Sequence, residues 1–204
     1  MLNSSFNAIA TNPGLDLYPS HLSERVAELE PFIYDKINNG VYKCGFATTQ
    51  EAYDEAVEAL FAALDVVEEL LDRSRFLCGA EITGIDIWLF NTLVRFDPVY
   101  YIYFKVSKAT PFFALLFLFL LTTCVFLTCQ CSKKSIMLEY PNLSNYVRDL
   151  YQVKEIGKTI DLWNIRTHYF TSHRKLNPYA IVPSMPDRVD LDAPHDRGSR
   201  TYAQ

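Results

Sequence analysis

The chain has 204 residues, half of them hydrophobic, with a net charge of −5 and a pI near 5.4. That length supports one domain with a sizeable core. The acidic balance argues against a nucleic-acid partner, and five cysteines and four histidines with no metal spacing argue against a zinc site.

The start, "MLNSSFNAIATNPGLDLYP", lacks a basic segment followed by an apolar core, so it does not read as a secretory signal. The first predicted helix is "SHLSERVAELEPFIYDKINNG", with Leu22, Val26, Leu29, Ile33 and Ile37 on one face. Pro31 removes a backbone donor and is expected to kink it, and Asn38-Asn39-Gly40 to stop it. A second, long helix follows in "TTQEAYDEAVEALFAALDVVEELLDRS", opened by a capping box of Thr48 and Glu51. Its apolar stripe runs through Tyr53, Val57, Leu60, Leu64, Val67 and Leu71.

Thr83 and Asp86 form a second capping box, which opens a helix that is apolar nearly all round: Ile87, Trp88, Leu89, Phe90, Leu93 and Val94. Such a helix belongs at the centre of a bundle, and Asp86 is then a buried carboxylate, tolerable only as a cap. Residues 111–129 are uncharged and dominated by Phe and Leu. Beyond them, "YPNLSNYVRDLYQV" gives a helix from Pro141 or Asn142, and "EIGKTIDLWNIRTHYFTSH" gives one or two short ones. "NPYAIVP" reads as an irregular strap, and the polar end, residues 187–204, as a disordered tail. No hairpin signal appears, so the fold class is all-α, a helical bundle.

The stretches "INNGVYKCGFATTQEAYDEAV", "GAEITGIDIWLFNTLVRFDPVY", "YPNLSNYVRDLYQ" and "HYFTSHRKLNP" together resemble the carboxy-terminal helical domain of the Xi-class glutathione transferases, the glutathionyl-hydroquinone reductases. The resemblance implies a glutathione transferase C-terminal-like domain over residues 20–186, with residues 1–19 a remnant of the thioredoxin-like domain and its linker. It also implies the family chemistry, with glutathione as co-substrate. A cysteine in an amino-terminal thioredoxin-like domain attacks the sulfur of a glutathionylated hydroquinone. The hydroquinone leaves, and a second glutathione resolves the mixed disulfide. Neither that cysteine motif nor the glutathione site lies in these residues, so no catalytic residue is expected here, nor glutathione held by this chain alone. The helical domain supplies the wall facing the hydroquinone, through Tyr42 and Tyr169. Phe170 stands where the family usually has a second tyrosine.

Against the family pattern, residues 106–130 are an apolar insert. One reading is a transmembrane helix over 111–129, since roughly 20 apolar residues span a bilayer. Flanking lysines, Lys105 and Lys108 before and Lys133 and Lys134 after, give little asymmetry for orientation. The other, favoured, reading is a retained intron. Valine codons begin with GT, one glutamine codon is CAG, and removing 106–130 keeps the frame and restores the pattern. A spanning helix there would also put the two groups of helices on opposite sides of a membrane.

Three outcomes follow from the residues. The chain is a truncated, inactive, cytoplasmic product (plastid for a full-length form), a non-enzymatic module that homodimerises or pairs with full-length enzyme, or a membrane-anchored protein. Tyr42 reads equally as quinone wall or as core aromatic. Cys44, next to Lys43, reads as a packing thiol before it reads as a nucleophile, and His168 and His173 as structural before metal-binding.

Overall fold

A computed structural model describes residues 5–106, 134–186 and 189–202. The 111–129 stretch, Cys124, Cys129, Cys131 and nearly all of the insert lie outside those residues. Among the described residues there is no strand, only an isolated bridge between Phe76 and Gly79. None of their helices is long and apolar enough to cross a membrane.

Helix α1, Ser23–Phe32, buries Val26 and Leu29 and carries Pro31 within it. Pro31 has no N–H to give, and the backbone widens just after it into a π-helical turn, Ile33–Asn38, with Ile33 and Ile37 in the core. The expected stop at Asn38-Asn39-Gly40 does not occur. The chain enters α2, Gly40–Gly45, directly. Gly40 is there for close approach rather than termination: a Cβ on it would lie 3.1 Å from the Leu60 side chain of the next helix.

That helix, α3, runs Gln50–Arg73. Its N-cap is Thr49, whose hydroxyl accepts from the Ala52 N–H at 3.2 Å. The expected box of Thr48 and Glu51 does not form: the cap sits one residue later, and its N3 residue is Ala52. Glu51 still favours the first turn through its charge near the positive helix end. The predicted stripe is buried at Val57, Leu60, Leu64, Val67 and Leu71 and is widened by Phe61 and Ala63.

Helix α4, Gly84–Arg95, opens on the Thr83–Asp86 capping box, as the sequence predicts. It continues through a second π-helical turn, Phe96–Tyr100, containing Pro98, to a last helical turn at Tyr101–Tyr103. Later in the chain come α5, Ile136–Glu139, and α6, Pro141–Gln152, with proline at its first position, where its missing donor costs nothing. Helix α7 is Leu162–Ser172, capped by Asp161, whose carboxylate accepts from the Asn164 N–H at 3.0 Å. The strap after it is held where Arg166 donates to the Pro183 carbonyl and Asn177 to the carbonyls of Phe170 and Ile181.

Helices that precede and follow residues 106–130 in sequence share one core. Leu143, Tyr146, Val147 and Leu150 of α6 belong to the same buried cluster as Leu64, Leu71, Leu89 and Leu93. Polar ties fix the register. Asp97, buried, accepts from the Ser135 hydroxyl at 2.8 Å and the Met137 N–H at 2.9 Å. Glu68 of α3 accepts from the free N–H groups of Asn142 and Leu143 at the start of α6, both at 2.8 Å. Val106, the first residue of the 106–130 stretch, is fully buried.

The tail departs from the expectation of disorder. Leu191 is buried, and Arg197 is 1% exposed. Its guanidinium donates to the carbonyls of Leu71, Ser74 and Arg75, the unsatisfied end of α3. A polar composition concealed this, because the favourable partner is a set of distant backbone acceptors rather than apolar surface.

Candidate functional site

The two turns that widen the helices bring tyrosines together. Tyr42 projects from α2, Tyr100 ends the second π-helical turn, and Tyr169 lies on α7. The Tyr42 and Tyr169 hydroxyls share a hydrogen bond of 2.7 Å, Tyr100 and Tyr169 one of 2.9 Å, and Tyr42 and Tyr100 sit 3.4 Å apart. Their rings stand on Phe104 and Phe46: Tyr100 stacks on Phe104 with centroids 5.4 Å apart, and Tyr42 stacks on Phe46 at 6.4 Å.

The triad forms one end of an open groove of about 430 Å³, whose other walls are Tyr34, Trp88, Asn38, Asn91 and Arg95. Tyr42 is 38% exposed there, whereas Tyr100 is buried. Within this lining the Asn38 side chain donates to the Trp88 carbonyl, and its Oδ1 has no hydrogen-bond partner among the described residues. A groove of similar size between α1 and α3 is lined by Arg25, Val66, Glu69 and Leu77, without such a convergence of hydroxyls.

Burial pushes the Tyr169 phenol up to about 12, with its bond to Tyr100 and the positive charge of Arg95 pulling the other way. Burial, aided by the neighbouring tyrosines, drives Tyr100 far above the ordinary phenol range. Both hydroxyls therefore keep their protons at neutral pH. A cluster of neutral phenols donates hydrogen bonds to an oxygen that gains negative charge.

Of the residues expected from sequence, Tyr42 and Tyr169 meet. Thr83 and Asp86 serve the start of α4 and stand apart from the groove. Phe170 is buried and faces Tyr103, its ring centroid 4.7 Å away, so its missing hydroxyl is not one that the triad lacks. Tyr100 is a third member that the sequence does not single out. The available signal was a phenol beside Asp97-Pro98, a place where a helix must deform. Cys44 is buried in the core, and burial pushes its thiol up to about 11. Lys43 turns instead to Asp35, at 2.7 Å. His173 packs edge-on to Phe46, and the His168 ring lies 3.3 Å from the Ser172 hydroxyl. No group of three metal-ligating side chains comes together among the described residues.

Residues 50–149 match the family described as glutathione S-transferase, C-terminal domain. The chain is 42% identical over 200 residues to the glutathionyl-hydroquinone reductase YqjG of Escherichia coli, an alignment covering 98% of this chain and 52% of that protein. It superposes on a glutathione-bound YqjG structure with a TM-score of 0.81 and 41% identity, over 98% of this chain and 56% of the other. Residues 50–149 form a glutathione S-transferase C-terminal domain, and the chain is similar to glutathionyl-hydroquinone reductases over nearly its whole length. Its bundle is also similar to the Xi-class enzyme of Natrialba magadii, with a TM-score of 0.79 and 39% identity over 97% of this chain and 52% of that one. To the glutathionyl-hydroquinone reductase PcpF of Sphingobium chlorophenolicum it is 38% identical over 186 residues, 91% of this chain and 51% of that protein. The chain thus spans about half the length of the curated relatives it matches.

Proposed function

We propose that this helical domain forms the substrate wall of a glutathionyl-hydroquinone reductase. Its tyrosine groove receives the ring of a glutathionylated hydroquinone. The observation that carries this reading is the triad itself: three phenols in mutual hydrogen bonding at the mouth of an aromatic groove. When a thiolate attacks the conjugate's sulfur, a sulfur–sulfur bond forms as the carbon–sulfur bond breaks, electron density moves into the departing ring, and a proton from water replaces the sulfur on the ring carbon. Tyr42 and Tyr169 donate to its oxygens and hold that charge. Glutathione is the co-substrate, and a second glutathione thiol resolves the mixed disulfide.

Among the described residues the wall is present and an activated thiolate is not. Cys44 and Cys78 both have thiols raised by burial, the opposite of an activated nucleophile. The chain by itself is therefore a binder without turnover, and the thiolate comes from a thioredoxin-like domain.

Equilibrium dialysis against glutathionyl-menadione, with a parallel reduction assay containing glutathione, tests both parts. The chain is expected to bind the conjugate, Tyr169→Phe to bind it roughly three- to tenfold more weakly, as loss of one hydrogen bond predicts, and neither to reduce it. Absence of binding removes the wall reading. Reduction above a buffer blank removes the claim of inactivity.

A further inference from the structure

Arg95 closes α4 on the wall of the tyrosine groove. Its guanidinium donates only to neutral acceptors one turn back on its own helix, the Asn91 carbonyl at 2.6 Å and the Asn91 Oδ1 at 3.3 Å. An arginine has five N–H donors in a planar fork, matched to a carboxylate or similar anion. Among the described residues no Asp or Glu lies within ion-pairing reach of Arg95, and none lines the groove. The other described arginines and lysines near carboxylates behave differently: Arg75 is paired with Asp149, Arg200 with Asp72 and Lys43 with Asp35. The groove therefore holds one uncompensated cation beside a ring-sized aromatic surface of Tyr34 and Trp88. The positive charge is felt at the triad, where it opposes the rise of the Tyr169 phenol.

We infer that Arg95 makes the groove selective for hydroquinone-type rings bearing an anionic substituent, the guanidinium taking the anion while Tyr42 and Tyr169 take the phenolic oxygens. The inference rests on the reading of the groove as the ring's binding wall and names the substrate class that wall prefers. Arg95 acts on binding. No bond is made or broken at it.

The test compares 2,5-dihydroxybenzoate with 1,4-dihydroxybenzene, which lacks the carboxylate, by broadening of the ligands' ring-proton NMR signals on titration with the full 204-residue chain and with its Arg95→Gln and Arg95→Lys variants. The acid is expected to bind roughly fivefold more tightly than the neutral ring, as for one partly exposed ion pair. Arg95→Gln is expected to remove that preference, so that the two rings bind alike. Arg95→Lys is expected to retain part of it. The preference should also shrink as salt is raised from 20 to 300 mM, roughly where the screening length falls below 10 Å. Equal affinity for the two rings, or a preference that survives Arg95→Gln, overturns the inference and leaves the wall reading standing. Failure of both rings to bind overturns the inference and the wall reading together.

Discussion

At the start of α4 one carboxylate accepts from four donors: Asp86 takes the N–H of Leu77 at 2.9 Å, the N–H and hydroxyl of Thr83 at 2.8 and 2.7 Å, and the hydroxyl of Tyr146 at 2.9 Å. It thereby ties the turn after α3, the cap of α4 and the middle of α6 to one point. Asp86→Asn replaces an acceptor oxygen with a donor facing donors, and is expected to cost about 2–4 kcal/mol in urea unfolding. The pH dependence has a definite sign. Burial raises the Asp86 carboxyl above its ordinary range, its hydrogen bonds only partly opposing this. The folded chain then binds a proton that the unfolded chain releases. The associated stability is fully present below the ordinary carboxylate value and is lost as pH rises through the raised one. The stability gap between wild type and Asp86→Asn should therefore widen on acidification below neutrality. A gap that narrows would mean that the four donors outweigh burial. The cap was legible in the sequence because a Thr-x-x-Asp spacing is local. Tyr146 and Leu77 as partners were not, since they are brought in by the fold.

Elements were legible wherever a helix obeys its own period. The stripe of α3, the apolar surface of α4 and the proline start of α6 all stand where the spacing puts them. The failures share a cause, in that a distant group overrode a local signal. Asn38-Asn39-Gly40 has the composition of a stop, yet Leu60 of α3 makes the glycine a packing residue. Gly45 repeats the device: a Cβ on it would lie 2.3 Å from the Phe104 ring, which supports both Tyr42 and Tyr100. Gly45→Ala is expected to destabilise the bundle by about 1–3 kcal/mol through overpacking. It should also disturb the triad, visible as an altered tyrosinate absorbance titration above pH 9. A destabilised variant with an unchanged titration would show that Phe104 does not set the positions of the phenols. The tail offers the parallel case. Arg197 ends α3 with hydrogen bonds to three carbonyls more than a hundred residues away in sequence, a relation no composition reveals. Arg197→Ala should lower unfolding free energy by about 2–3 kcal/mol, since the lost bonds are charge-assisted and the acceptors are left buried. An effect below about 0.5 kcal/mol, the size of a surface substitution, would mean that the tail merely rests on the bundle.

For the whole molecule, the decisive relation is between the two groups of helices and the residues that separate them in sequence. Asp97 and Glu68 lie before residues 106–130 and bind backbone groups after them, and α6 buries its apolar face on α3 and α4. Each large aliphatic side chain so buried contributes on the order of 1.5–3 kcal/mol, so the shared core far outweighs the entropy of closing a somewhat longer loop, which grows only logarithmically with length. The bundle's stability is thus expected to be nearly indifferent to what joins Lys105 to Cys131. Deleting residues 106–130 takes Val106 from the core but brings Cys131, another small apolar residue, next to Lys105 in sequence. It also removes a Phe- and Leu-rich run that acts as an aggregation hazard in water. The deletion variant should remain in the supernatant at concentrations where the parent chain sediments, and should melt within a few degrees of it. It should also retain the tyrosine groove, read as unchanged binding of glutathionyl-menadione by dialysis. A variant that is less soluble, or that melts ten degrees lower, would show that the segment contributes to the core. The parent's partition into detergent micelles in the same measurements would then identify the segment as a membrane anchor beside a folded bundle.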